Sequence, residues 1–313
     1  MRKTGLIILI LVLALAASLA QRWGGGRRGG GDTGIAYTEG GVPVDVDRVR
    51  TAREIASHST GTPEWTNAPG LDKDVFTFVR IIRARDPSGP RSAGSWITDF
   101  PDSDLNLSYR LQQVTTIKTD PDGRVLRLTD PDLFNYPWIY MVEPGALLLH
   151  DEEVPILRKY LLNGGVLMAD DFWGQAQWEG FASQIKRVLR DRDFVDLDID
   201  HPLFHCVFDI KGPIQRLQTP SIHVVERRRD TDYTWEDFHR DQYGNREDPE
   251  TAHYMHVRAI FDDKGRIMVI ATHNCDNGDS WEREGEDDFF FHEFSEKRGY
   301  PLGINIIYYL MTH

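Results

Sequence analysis

The sequence is poor in cysteine and in positive charge, and each shortage closes off a class of protein. Only two cysteines, Cys206 and Cys275, occur among 313 residues. They are too few for a disulfide scaffold, and neither sits in a CxxC or zinc-type spacing. They read either as a cross-strand pair or as buried apolar thiols. Lys and Arg number 36 against 49 Asp and Glu, a formal net charge of −13. That balance argues against nucleic acid or an anionic membrane face as a partner, because both are bound through Lys and Arg. No internal repeat is visible. Long apolar runs are scarce too: one spans Leu6 to Ala17, preceded by Arg2 and Lys3 and followed by Ser18-Leu19-Ala20 before Gln21. It is shorter than the roughly 20 residues that span a bilayer. Residues 1–20 therefore read as a secretory signal, with export to the periplasm or beyond. Membrane anchoring is the alternative if the segment is not cleaved.

What is present, 40% hydrophobic and 27% charged residues, suits a globular protein with a sizeable core. Residues 21–70 read as a Gly-rich basic tether and a short helical lead-in, with a helix expected over 46–58 and a turn into another at 62–65. An α/β domain is expected over 71–313, its ordered core starting at Val75. Strands are expected over 76–83, 125–128, 138–142 and 166–169, and helices from about 102 to 115, 151–162 and 177–190. Strands alternating with helices over short links imply a mostly parallel sheet with helices on both faces. Residues 211–252 read as a loop-rich insertion with a solvated charged run at 226–232. A hairpin over 256–271 turns on Asp263-Lys264-Gly265. A C-terminal helix, broken at 299–301, closes the chain.

The chemistry-bearing residues gather at expected strand ends. The uniformly apolar run 166–169 reads as a central strand, buried on both faces, which puts Asp170 and Asp171 at its carboxyl edge, with Trp173 next. Ligands bind at this edge in open α/β sheets. One aspartate suits a helix cap and the other a metal ligand or general base. After the hairpin come His273, Asn274, Asp276, Asp279, Trp281 and Glu282, a His and acid set able to hold a divalent cation, or else a solvated polar loop. Asp102, Asp104 and Asn106 read as helix-start residues. Tyr109 and Arg110, one turn on, are within reach of a ligand, Arg110 as an anion clamp. Glu143 ends the 138–142 strand and adds an acidic wall. His201 and His205, four apart, form a weak zinc pair or ordinary polar and core histidines.

The phrases TDFPDSDLNLSYRLQQ, LTDPDLFNYPWIYMVEPG, YLLNGGVLMADDFWG, IFDDKGRIMVIATHN and YPLGINIIYYLMTH, in this order, resemble the bacterial family known as domain of unknown function 4159. The resemblance implies a flavodoxin-like fold of the class I glutamine amidotransferase kind, and association with systems containing MoxR-type ATPases and von Willebrand factor A-domain proteins. Amidotransferases place a cysteine in the turn after the central strand for thiolate attack. Here that turn reads Asp170-Asp171-Phe172-Trp173-Gly174, with no Cys, Ser or Thr, which argues against amidotransferase chemistry. The leading expectation is an exported binding or assembly component of an envelope complex. The alternatives are a metal-assisted hydrolase using Asp171, His273 and Asp279, and a carbohydrate-binding module using Trp173, Trp281 and the carboxylates.

Overall fold

Arginine is rarely fully buried, yet Arg80 is, in the middle of the first long strand. The computed structural model describes residues 32–59, 61–70, 74–91, 93–236 and 238–313. The expected signal and the first part of the tether lie outside the described residues. Seven strands form the central sheet: β1 (Val79–Ile82), β2 (Arg124–Arg127), β3 (Trp138–Val142), β4 (Val166–Phe172), β5 (Val195–Asp196), β6 (His256–Phe261) and β7 (Ile267–His273). Their order across the sheet is β2-β1-β3-β4-β7-β6-β5. The pairs from β2 through β7 are parallel, whereas β6 pairs antiparallel with both β7 and β5. The five parallel strands run 2-1-3-4-5 in chain order, the flavodoxin-like arrangement, with the hairpin strand and a short edge strand added outside.

The period of two along each strand divides the core into two layers. Trp138, Tyr140, Val142, Val166 and Met168 face helices α1 (Asp102–Val114) and α6 (Tyr300–Thr312). Ile139, Met141, Leu167 and Ala169 face α2 (Glu153–Leu162) and α3 (Gly174–Val188). Two shorter helices are α4 (Ile222–Arg228), inside the expected insertion, and α5 (Asn277–Glu282), after β7. No helix among the described residues is long and apolar enough to cross a membrane.

Several expectations need correction. The lead-in is folded: Ile35–Tyr37 pairs with Pro43–Asp45, and Ala36, Val44, Val46 and Val49 pack on Trp96, Ile97, Phe100 and Leu105. Of the helix expected over 46–58 only the turn Ala52–Glu54 forms; Val46, Val49 and Ala52 instead join the cluster around Trp96, Ile97 and Phe100. The expected C-terminal break does not occur; Phe291–Gly299 is π-helical and runs straight into α6, whose first turn accepts Pro301. Asp102 and Asp104 do not cap α1. Asp102 receives Ser57 and the His58 amide, and Asp104 pairs with Arg80. Cys206 and Cys275 are both free.

Arg80 donates to Asp104 on α1 and to the carbonyls of Trp96 and Thr98 at 3.0 and 2.8 Å. Its guanidinium also lies 5.3 Å over the Tyr140 ring. It thus fixes the 93–101 loop against β1. Removing one member of a buried pair leaves an uncompensated charge, so Asp104→Ala is expected to lower unfolding free energy by about 3–5 kcal/mol. Urea unfolding followed by tryptophan fluorescence measures this; a loss under about 1 kcal/mol would contradict it.

Candidate metal centre at the carboxyl edge

Four non-glycine residues at this edge occupy the left-handed region: Asp99 (φ 61°), Glu143 (φ 46°), Asp171 (φ 55°) and Asn274 (φ 59°). Asp171 is the penultimate residue of β4, while Glu143 and Asn274 directly follow β3 and β7; Asp99 lies in the loop before α1. Such a conformation costs on the order of 1 kcal/mol or more and persists where the surroundings enforce it. Here the turns at Asp99, Glu143 and Asp171 point acidic side chains into one cavity of about 190 Å³. Among the described residues, seven carboxylates line it: Glu39, Asp99, Glu143, Asp171, Glu236, Asp276 and Asp279.

The adjacent aspartates divide their roles as the alternation of a strand demands. Asp170 points into the α1 face of the sheet, where it accepts from Thr272, Tyr140 (3.0 Å), Asn277 (2.8 Å) and the Gly278 amide (3.1 Å). It pins the start of α5 to the sheet. Burial outweighs these donors and lifts its carboxyl to about 6. Asp171 instead enters the cavity, held by the Trp173 indole at 2.9 Å. Burial, with Glu143 and Glu236 nearby, pushes it well above the usual carboxylate range. Burial and the neighbouring acids raise Asp99 and Asp276 in the same way.

Among the described residues, three groups of side chains bring ligand atoms within 4.8 Å of one another: Glu39–His58–Glu282, Asp99–Asp279–Glu282 and Asp99–Asp171–Asp276. In the first two, Glu39, Asp279 and Glu282 are already engaged by organic cations, whereas Asp99, shared with the third group, is not. Arg283 reaches Glu282 at 2.7 Å and Asp279 at 3.0 Å and also pairs with Glu39. His58 bridges Asp102 (3.1 Å) and Glu282 (2.9 Å), which lifts its imidazole to about 10. The third group has no such partner among the described residues. There, Asp276 accepts only the Asp279 amide, Asp171 only Trp173, and Asp99 Oδ2 is buried without a hydrogen-bond partner. Gly278 makes room for that last carboxylate, since a Cβ there would overlap it.

Of the other residues singled out from the sequence, Trp173 lines the cavity and stacks on His239 at 6.0 Å. Asp279 lines it too, but its oxygens are engaged by the Ile222 amide and Arg283. His273 does not line it: it lies against Phe172 and Trp178, bonded to the Gly174 carbonyl, and burial lowers its pKa well below the ordinary value. A neutral imidazole packed there is core. Asn274 is scaffold, accepting from Gly174 and donating to the Thr251 and Tyr254 carbonyls. Trp281 is buried against Tyr140, and Arg110 pairs with Glu284 away from the cavity. His201 caps its own turn and His205 pairs with Asp209, so they form no zinc pair. The sequence reading missed Asp99, Glu39, His58, Glu236, His239 and Arg283. Only Asp99, beside a recognised helix start, carried a local signal. His239 donates from Nε2 to Glu236 (2.9 Å) because its Nδ1 receives the Gln177 amide (3.0 Å).

Groups raised by burial make stability fall with pH. Glu282, lifted by burial from 4.5 to about 8, contributes stability that is present below pH 4.5 and lost as pH rises through 8. Asp170 acts in the same sense between 3.8 and about 6. Chelator-treated protein is therefore expected to melt at a higher temperature at pH 5 than at pH 8, and Asp99→Asn to flatten that slope. Thermal melts by circular dichroism across this range check it; a melting temperature rising with pH would contradict it.

No curated protein matches the chain. The family model described as Domain of unknown function (DUF4159) matches residues 80–311, which take in every strand of the central sheet except the first residue of β1, and every cavity carboxylate except Glu39. On that match, which covers most of its length, the chain belongs to the DUF4159 family.

Proposed function

We propose that the chain is an exported, cation-dependent hydrolase whose divalent ion is held by Asp99, Asp171 and Asp276. The observation that carries this reading is a contrast among the acids: Glu39, Asp279 and Glu282 are paired with Arg283 or His58, whereas Asp99, Asp171 and Asp276 have no cation within ion-pair distance among the described residues and Asp99 keeps a buried oxygen without a hydrogen-bond partner. A purely oxygen donor set suits Mg²⁺, Mn²⁺ or Ca²⁺. A cation held there would supply Lewis acidity and make water a better nucleophile. In the hydrolysis, the water oxygen bonds to an electrophilic carbon or phosphorus and the bond to the leaving group breaks. The water proton passes to a carboxylate and then to the leaving group. Glu143 is the acceptor of choice, because it is raised by burial and set beside Asp171. The location supports the reading as well, since open α/β sheets bind ligands at this edge.

The second reading is a binding or assembly component of an envelope complex, with partners of the MoxR-type ATPase or von Willebrand factor A-domain kind. It is favoured by Ile35 and Tyr37, which stand 52% and 59% exposed on the hairpin that follows the tether. Carbohydrate recognition has less support, because Trp173 and Trp281 are buried and offer no free ring face.

Isothermal titration of chelator-stripped protein with Mn²⁺ is expected to give about one equivalent. Asp99→Asn and Asp171→Asn should each weaken binding by at least about tenfold, the loss of one charged ligand contact. At a free ion concentration near 100 times Kd, the protein should gain about 2.7 kcal/mol of stability. Folded wild type that takes up no divalent ion would remove the hydrolase reading and leave the assembly one.

A further inference from the structure

The acidic cavity opens toward a second, larger hollow of about 480 Å³, and the two share Ser221, His223 and Phe238. Their linings differ in character. The larger hollow has apolar walls in Val224, Tyr233 and Phe238, and its charged side chains among the described residues are Arg227 and Arg228, with His223 beside them. Arg228 lies 3.5 Å over the Tyr233 ring, and Arg227 uses its Nε on the His223 carbonyl at 2.8 Å. Neither guanidinium has a carboxylate within ion-pair distance among the described residues, although Glu226 engages His223 on the outer side. In a chain of net charge −13, two unmatched arginines beside seven carboxylates make a local reversal of sign. Phe238, 47% exposed, stacks on His239 at 4.6 Å, and His239 stacks on Trp173, whose indole holds Asp171. An aromatic stack therefore runs from the mouth of the groove to the proposed metal ligand.

We propose that this groove is the substrate subsite and takes an organic oxyanion with a flat apolar body, its phosphate or carboxylate on Arg227 and Arg228 and its body along Phe238. The size is within the range of roughly 300–1,000 Å³ usual for ligand pockets. Guanidinium groups are the side chains best shaped for oxyanions. The charge logic is independent: a carboxylate-lined cavity repels an anion unless cations stand at its entrance. As a substrate subsite, the groove rests on the hydrolase reading; as a binding site, it is tested apart from it.

Calorimetric titrations with 1-naphthyl phosphate, 1-naphthoate and 1-naphthol, in chelator and again with Mn²⁺, carry the test. At least one of the two anions should bind about tenfold or more tightly than the neutral naphthol, and the tighter of them identifies the oxyanion. Arg227→Ala with Arg228→Ala should lose that advantage, the double Lys variant should restore part of it, and both should keep wild-type Mn²⁺ binding and thermal unfolding. Equal binding of naphthol, unchanged affinity in the double Ala variant, or no binding of any probe would overturn the subsite. Loss of Mn²⁺ binding alone, with anion binding intact, would overturn only the metal reading.

Discussion

A small, largely buried cavity cannot easily hold seven like charges, and the carboxyl edge of this sheet is organised around that constraint. Coulomb repulsion between unit charges 4 Å apart is several kcal/mol at the dielectric of a partly buried site. The chain answers it in three ways. Arg283 is embedded among Glu39, Asp279, Glu282 and Glu286, and its own pKa is raised by them against the cost of burial. His58 is held between two carboxylates and stays charged. Of the remaining cavity acids, Glu236 is paired with His239, and Asp99, Glu143, Asp171 and Asp276 are driven toward the protonated form or toward an ion.

The fold was legible because its signals are local. Strands 138–142 and 166–172 announce themselves by apolar density, and the hairpin turn by Asp263 and Gly265, where Asp262 indeed accepts the Lys264 and Arg266 amides. The two-layer core follows from the same alternation. What misled was the lead-in, whose short hairpin and single turn gain their order from Trp96, Ile97 and Phe100, far along the chain. Low local propensity was overridden by tertiary burial.

The site was legible in half. Asp171, Asp276 and the acidic wall at Glu143 could be found because strand ends in a parallel sheet share an edge. The division between Asp170 and Asp171 followed from side-chain alternation. His273 defeated the same logic: strand end and residue type were right, but the side chain packs among Phe172 and Trp178. The countercharges were invisible, since nothing about His58 or Arg283 in sequence says which acids they will meet. Glu236 and His239 lie in a segment whose polarity reads as solvated, yet both are buried.

The hairpin at 35–45 and the segment behind it lie ahead of the family match, yet Glu39 and His58 are part of the wall and of the charge balance of the cavity. The unit that recurs as a family and the unit that completes this site are therefore not the same length. A chain begun at β1 would keep its sheet but bare the apolar trench of Trp96, Ile97 and Phe100 and strip Glu282 of its imidazole. In this chain the segment ahead of the shared domain thus helps to set how closed and how acidic this edge is, so that the width of the site depends on residues that the family fold does not itself require.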